Sequence, residues 1–281
     1  MTARAEQLAA AFKNACLAEL ETLKPGNVHV FADGHGMVVQ DFVRSAEAAA
    51  AEIARPHLSV GERILNSVES TWRVVGCNTN LGIVLLCAPL IHAALERKEE
   101  ESVTESLKHV LRDLTVEDAV LACKAISRAS PAGLGESARY DVRVPPQATL
   151  LEVMKEAASR DRIALQYLCC YSDVSRGVQV YEAACQRWGW TGWATTVVYL
   201  EFLASFEDTH IVRKFGSEVA AQVKKEAIYH RDVLLAQENP KQYQRDLLDF
   251  DRSLKARGWN PGTSADLTVA SLLMAELEKR G

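Results

Sequence analysis

Leu81-Gly-Ile-Val-Leu-Leu-Cys-Ala-Pro-Leu-Ile-His-Ala-Ala-Leu95 is the longest apolar run of the chain, and its reading decides the fold. It contains Pro89 and His92. It also falls short of the roughly 20 apolar residues that a membrane span requires. The run therefore reads as a helix buried in the interior of a globular protein. Helix signals dominate on both sides of it. A Ser or Thr stands three positions before an acid at Ser59/Glu62, Ser102/Glu105, Thr115/Asp118, Thr149/Glu152 and Thr263/Asp266. At that spacing the hydroxyl and the carboxylate each satisfy a backbone N–H that a helix start leaves open. Leu267, Ala270, Met274 and Leu277 fall on one helical face, and the alanine-rich residues 46–54 favour helix by propensity. The best strand candidate is Tyr140-Asp-Val-Arg-Val144, ended by Pro145 and Pro146. These signals predict an all-α fold: one compact domain over residues 1–281, with about a dozen helices and little or no sheet.

Composition narrows the function classes. Of the 281 residues, 48% are hydrophobic and 25% charged, as in ordinary folded domains. The net charge of -5 leaves no basic footprint for nucleic acid, so an anionic substrate must be met by a local cluster of cations. Seven cysteines at scattered spacings form no C-x-x-C pair. They read as small buried hydrophobes in a reducing, cytoplasmic compartment. The N-terminus lacks the apolar stretch of a secretory signal.

Five punctuated segments hold the candidate chemistry. Lys24-Pro-Gly-Asn27-Val-His29 closes the first helix, and Asp33, His35 and Asp41 follow it. Pro25 and Gly26 suit a helix stop for backbone reasons alone. The histidines and acids suit a metal or a phosphate as well as a solvated loop, and the His29-x5-His35 spacing matches no zinc motif. Asn78-Thr79-Asn80-Leu81-Gly82 leads into the apolar helix, where free N–H groups and the positive dipole end favour an anion; ordinary capping by Asn78 or Thr79 is the plainer reading. Asp208-Thr209-His210 with Arg213 and Lys214 sets an acid beside three potential cations. It suits Mg²⁺ and phosphate or, equally, a salt-bridged turn. In Asn260-Pro-Gly-Thr263-Ser264-Ala-Asp266, the last acid is either a cap or a ligand held at a helix start. Glu136 follows a Gly-rich turn. No segment fits a Walker A loop, a G-x-G-x-x-G fingerprint, a G-x-S-x-G elbow or an H-E-x-x-H helix.

Taken in order, these segments resemble the triphosphoribosyl-dephospho-CoA synthase family over nearly the whole chain. The family's K-P-G loop is matched by Lys24-Pro25-Gly26. Its N-T-H-K-G motif is matched by Asn78-Thr79-Asn80-Leu81-Gly82, with Asn80 and Leu81 in place of His and Lys. Its D-T-n-l-x-x-R-x-G motif is matched by Asp208-Thr209-His210-Ile211-Val212-Arg213-Lys214-Phe215-Gly216, and its S-P-G-G-S-A-D-L motif by Asn260 to Leu267. The variant forms look like a divergent archaeal and methylotroph branch.

The resemblance implies an all-α transferase that displaces adenine from ATP. Mg²⁺ would hold the triphosphate, and a ribose hydroxyl of a nucleotide-like acceptor, dephospho-CoA in the family, would be the nucleophile. It makes Glu136, Asp208, Asp266 and His29 the catalytic candidates. The substrate and phosphate contacts would be Lys24, Gly26, Asn27, Asn78, Thr79, Gly82, His210, Arg213, Lys214 and Ser264, and the metal ligands Asp208, Asp266 and Asp41. Partners would be small nucleotide-like molecules, with no nucleic acid and no membrane; a homodimer stays open. Two other readings are kept. One is a related transferase acting on a phosphorylated intermediate of a methanopterin- or methanofuran-type cofactor. The other is a non-catalytic helical binding or assembly protein.

Overall fold

The computed structural model describes residues 2–33, 36–131, 141–189 and 192–279. Within them the chain forms fourteen α-helices and no strand. They are α1 (Ala3–Leu20), α2 (Val39–Ile53), α3 (Val60–Val75), α4 (Leu81–Glu96), α5 (Val103–Arg112), α6 (Val116–Ala129), α7 (Leu150–Ala157), α8 (Arg162–Leu168), α9 (Ser172–Trp188), α10 (Gly192–Ser205), α11 (Thr209–Phe215), α12 (Ser217–Ala236), α13 (Gln244–Ala256) and α14 (Gly262–Lys279).

The apolar run is α4, buried on nearly every side. Pro89 in its interior has no N–H to give to the Leu85 carbonyl one turn back. The hydroxyl of Tyr167, on α8, supplies that bond instead at 2.6 Å, and Tyr171 donates to the next carbonyl, that of Leu86, at 3.0 Å. The proline is thus tolerated because a neighbouring helix answers the carbonyl it orphans. The other central helix is α14. Its buried residues occupy almost every position from Thr263 to Leu277. One core gathers α1 through α8 around α4 and α14; a second is built mainly from α10, α12 and α13, and α14 reaches it through Ala265.

Four of the five Ser/Thr–acid pairs form reciprocal capping boxes, at the starts of α3, α5, α6 and α7. The fifth does not. Helix α14 already begins at Gly262, so Thr263 lies inside its first turn. The Thr263 hydroxyl meets Thr209 Oγ1 at 2.9 Å and accepts from the His210 N–H at 3.2 Å. Asp266 is thereby released from capping. The strand candidate is also corrected: residues 141–144 form a turn closed by the Val144 N–H on the Asp141 carbonyl at 2.9 Å, while Tyr140 lies outside the described residues. Pro145 and Pro146 leave no run long enough to pair. Among the described residues no helix is long and apolar enough to cross a membrane.

Candidate active site

A cavity of about 620 Å³ opens where the polar turns meet. The polar residues of its lining include Glu19, Asn27, Asn78, Thr79, Asp161, Asn260 and Asp266, together with His210, Arg213 and Lys214. The lining also includes the apolar Leu85 of α4, Cys123 and Ile126 of α6, and Leu150, Val153 and Met154 of α7, with Asp141, Glu156 and Arg160 beside them in the chain. Residues from four segments far apart in sequence therefore share one cleft.

Two helix starts join the lining. The first turn of α4 lies there with Leu81, Gly82 and Ile83, and that of α14 with Gly262, Thr263, Ala265 and Asp266. Such termini carry open N–H groups and partial positive charge. Neither predicted cap residue takes the cap position of α4, which belongs to Asn80. Asn78 Oδ1 accepts from the Leu81 N–H at 3.2 Å, and the Thr79 hydroxyl is 2.6 Å from Ser45 Oγ. The buried Asn80 donates to Thr71 Oγ1 at 3.0 Å.

Asp266 overhangs Gly82. A Cβ on that glycine would lie 2.0 Å from Asp266 Oδ2, so only glycine lets the carboxylate sit there. No described residue donates a hydrogen bond to Asp266. Burial, then the nearby Glu19, Asp208 and Asp161, push its carboxyl well above the usual carboxylate range, with Arg213 opposing. Arg213 itself reaches Asp161 Oδ2 at 3.0 Å.

Asp208 is placed differently. It is 1% exposed and does not line the cavity. Its Oδ1 accepts from the N–H groups of His210 and Ile211 at 3.0 and 3.3 Å, and its Oδ2 from the Ser264 N–H and hydroxyl, both at 2.8 Å. Burial raises its pKa, against these four bonds. Asp208 and Ser264 form the rivet that holds α11 against α14.

Lys24 is also interior, 1% exposed. It donates to Glu19 Oε1 and, at 3.3 Å, to Asn27 Oδ1. Burial lowers the pKa of Lys24 and raises that of Glu19, each opposed by the other's charge. Gly26 sits at φ +84°, where a Cβ would strike Leu254, Pro261 and the Trp259 carbonyl at 2.9 Å, and its N–H donates to Asp251 Oδ1 at 2.8 Å. His29 is fully buried against Asp251 at 3.3 Å and Lys255 at 3.4 Å, away from the cavity lining. Asp41 accepts from the Val38 N–H at 3.1 Å, as an N-terminal acid of α2, and is likewise not in the lining. Glu136 and His35 lie outside the described residues.

The structure thus brings Asn27, Asn78, Thr79, Gly82, His210, Arg213, Lys214 and Asp266 to one cavity. It sets Lys24, Gly26, His29, Asp41, Asp208 and Ser264 behind or beside it. Glu19 and Asn260 were not among the sequence candidates. Glu19 is a helical acid ahead of the K-P-G loop, with no motif of its own to mark it; Asn260 opens a quoted motif but looks like a turn former. Among the described residues no group of three or more His, Cys, Asp or Glu is arranged to hold a metal ion.

The model of the family described as CitG, ATP:dephospho-CoA triphosphoribosyl transferase, matches residues 5–281. A crystal structure from Archaeoglobus fulgidus, assigned as a triphosphoribosyl-dephospho-CoA synthase, is similar in fold. Its TM-score is 0.63 at 23% identity, over 84% of this chain and 98% of that one. No curated protein matches.

Proposed function

This chain belongs to the CitG family of ATP:dephospho-CoA triphosphoribosyl transferases, and we propose that it moves the triphosphoribosyl group of ATP to a hydroxyl of a nucleotide-like acceptor, displacing adenine. The observation that carries this reading is the convergence of four distant polar segments on one cavity, whose lining holds His210, Arg213, Lys214 and Asp266.

Arg213, Lys214 and His210 of α11 receive triphosphate oxygens, helped by the N-termini of α4 and α14. Asp208 and Ser264 act at one remove, by fixing α11 against α14. Mg²⁺ fits this donor set in one way. With no three-residue cluster among the described residues, the ion would take Asp266 together with phosphate oxygens, the usual arrangement for Mg²⁺ on a nucleotide. An acid that faces the cavity and accepts no hydrogen bond from a described residue suits that role. The ion would neutralise phosphate charge. Glycosyl transfer passes through an oxocarbenium-like centre that a nearby carboxylate stabilises, and we assign that part to Asp266. The sequence candidates for taking the acceptor's proton are Glu136, Asp41 and His29; His29 and Asp41 do not line the cavity, so we assign the role to Glu136.

The acceptor need not be dephospho-CoA. Where the family carries a Lys, Leu81 is 8% exposed and lines the cavity, so one cation of the family's site is absent. This favours an acceptor with less negative charge there, such as a phosphorylated intermediate of a methanopterin- or methanofuran-type cofactor. Incubation with ATP, Mg²⁺ and dephospho-CoA, followed by mass spectrometry, tests the first acceptor. Adenine release with a triphosphoribosylated product supports it, and no adenine release overturns it. A deletion strain that lost a C1-carrier cofactor would point to the second.

A further inference from the structure

Glu19, Asn27 and Asn260 are three polar side chains on three separate segments. Each is more than nine-tenths buried, at 5%, 8% and 8% exposure, yet all three line the cavity. Burying polar groups is costly unless each finds a partner, so their unused valences show what the cavity is built to receive.

Their orientations are fixed in sequence by one buried cation. Lys24 donates to Glu19 Oε1 and to Asn27 Oδ1. A lysine only donates, so the Asn27 oxygen must face it and the Asn27 nitrogen must face away. That nitrogen donates to Asn260 Oδ1 at 2.8 Å, which leaves the Asn260 nitrogen on the far side. The usual ambiguity between amide oxygen and nitrogen is removed at both asparagines. No described residue donates to Glu19 Oε2 or accepts from Asn260 Nδ2. The trio therefore presents one charged acceptor and a set of amide donors, held rigidly side by side. A vicinal diol offers the complementary pattern, since each hydroxyl both donates and accepts. A phosphate does not match, because Glu19 would repel it.

Location selects the sugar. Glu19 shares the cavity lining with Asp266, the group proposed to hold the triphosphate through Mg²⁺, and of the neighbouring charges it acts most strongly on it. The sugar within reach is the one bearing that triphosphate.

We infer that Glu19, Asn27 and Asn260 form a subsite for the vicinal hydroxyls of the donor ribose, and that this subsite makes the enzyme select ribonucleoside over deoxyribonucleoside triphosphates. The inference rests on the donor reading above. A site whose buried groups are left unpaired by the wrong substrate discriminates strongly, by on the order of 10² or more. Asn260 and Glu19 set the preference, and Lys24 positions them.

Calorimetry on the intact protein with Mg²⁺ and four probes tests this: ATP, 2′-deoxyATP, 3′-deoxyATP and tripolyphosphate. ATP should bind tighter than either deoxy form by about two orders of magnitude. Asn260→Ala should weaken ATP toward the deoxy forms while leaving their affinities nearly unchanged. Glu19→Gln should do the same, with a thermal melt to check folding because Lys24 loses its counter-ion; Asn260→Ala leaves that ion pair intact. A purely structural trio would alter the melt and not the preference. If wild-type ATP and both deoxy forms bind alike, or if Asn260→Ala weakens all three equally, the inference is overturned while the donor reading stands. If ATP binds no better than tripolyphosphate and no adenine is released, both fall.

Discussion

The carboxylate of Asp208 accepts both the backbone N–H and the hydroxyl of Ser264, each at 2.8 Å, while its other oxygen caps α11. One buried acid thus sets the α11 cations relative to Asp266 on α14. Asp208→Ala strands several buried donors at once, each worth about 1–3 kcal/mol when unpaired. The expected loss of unfolding free energy is about 3 kcal/mol or more, with activity falling alongside. Denaturant unfolding checks it. A variant as stable as wild type would mean the rivet carries no load.

Gly82 is the second test of geometry. Its Cβ in an alanine variant would meet Asp266 Oδ2 at 2.0 Å, Asp266 Cγ at 2.6 Å and Ile163 at 2.7 Å. Overpacking of this kind costs about 1–3 kcal/mol, and Asp266 must swing aside. Gly82→Ala should lower turnover on the order of 10²-fold, since small misplacements of a positioned group have that effect. Gly76 supplies the control. It sits at φ +72° with nothing within 4 Å of its virtual Cβ, so Gly76→Ala should cost backbone strain and leave turnover intact.

Much of this was readable from the chain alone, for physical reasons that differ by residue. Helix starts at Ser59, Ser102, Thr115 and Thr149 were legible because a capping box is a local hydrogen-bond pattern. Thr263/Asp266 has the same spacing and failed, because the helix already begins at Gly262 and the Thr263 hydroxyl is taken by Thr209 and the His210 N–H. The convergence of the Lys24, Asn78, Asp208 and Asn260 segments was an assumption of the functional reading that no local signal in the chain could show. What stayed hidden was side-chain direction. Lys24 looked like a phosphate ligand because it is a cation in a loop, but it turns inward to Glu19. Only packing reveals that choice, and so only packing reveals Glu19 and Asn260.

Stability should respond to acid through His29. Burial first, and Lys255 among its charged neighbours, depress its pKa below the ordinary 6.5, against the pull of Asp251. A depressed folded-state value means the unfolded chain binds the proton more readily. The contribution is therefore whole above pH 6.5 and is lost as pH falls below it. His92 and His230 shift the same way, also by burial. Asp251 adds a later step: burial raises it, but His29, the Gly26 N–H and Lys255 together hold it below 3.8, so its contribution goes as pH drops under that value. Urea midpoints measured from pH 7.5 downward should fall in two stages. Each histidine adds a slope of up to about 1.4 kcal/mol per pH unit. His29→Gln should flatten the first stage, and an unchanged profile would remove His29 from this account.

Pro89 makes a prediction about the core. The Tyr167 hydroxyl replaces the helix bond that the proline deletes, at 2.6 Å from the Leu85 carbonyl. Tyr167→Phe keeps the ring and strands a buried carbonyl, for an expected loss of about 1–3 kcal/mol. In a Pro89→Ala background an N–H is restored, so the same substitution should cost distinctly less. A double-mutant cycle by thermal or chemical unfolding reads the coupling; additive losses would show that the two residues do not compensate one another.

Asp266 should show function and stability in opposition. Its ionised form is disfavoured by burial and by Glu19, Asp208 and Asp161, and helped by Arg213. The folded-state pKa lies above the ordinary 3.8, so the unfolded chain gives up this proton first and the acid subtracts from stability at neutral pH. Asp266→Asn removes that cost while keeping the shape, and the variant should melt at a higher temperature than wild type. Turnover should fall at least on the order of 10²-fold, as expected when a charge that stabilises a transition state is deleted. Stored instability of this kind is a recurrent feature of working sites. Mg²⁺ with ATP should raise the melting temperature of the wild type and barely move that of Asp266→Asn, because the carboxylate proposed to meet the ion is gone. A variant that melts lower, or that still gains stability from Mg²⁺ and ATP as the wild type does, would take Asp266 out of the catalytic cavity's chemistry and leave it a half-buried acid of the α4–α14 contact.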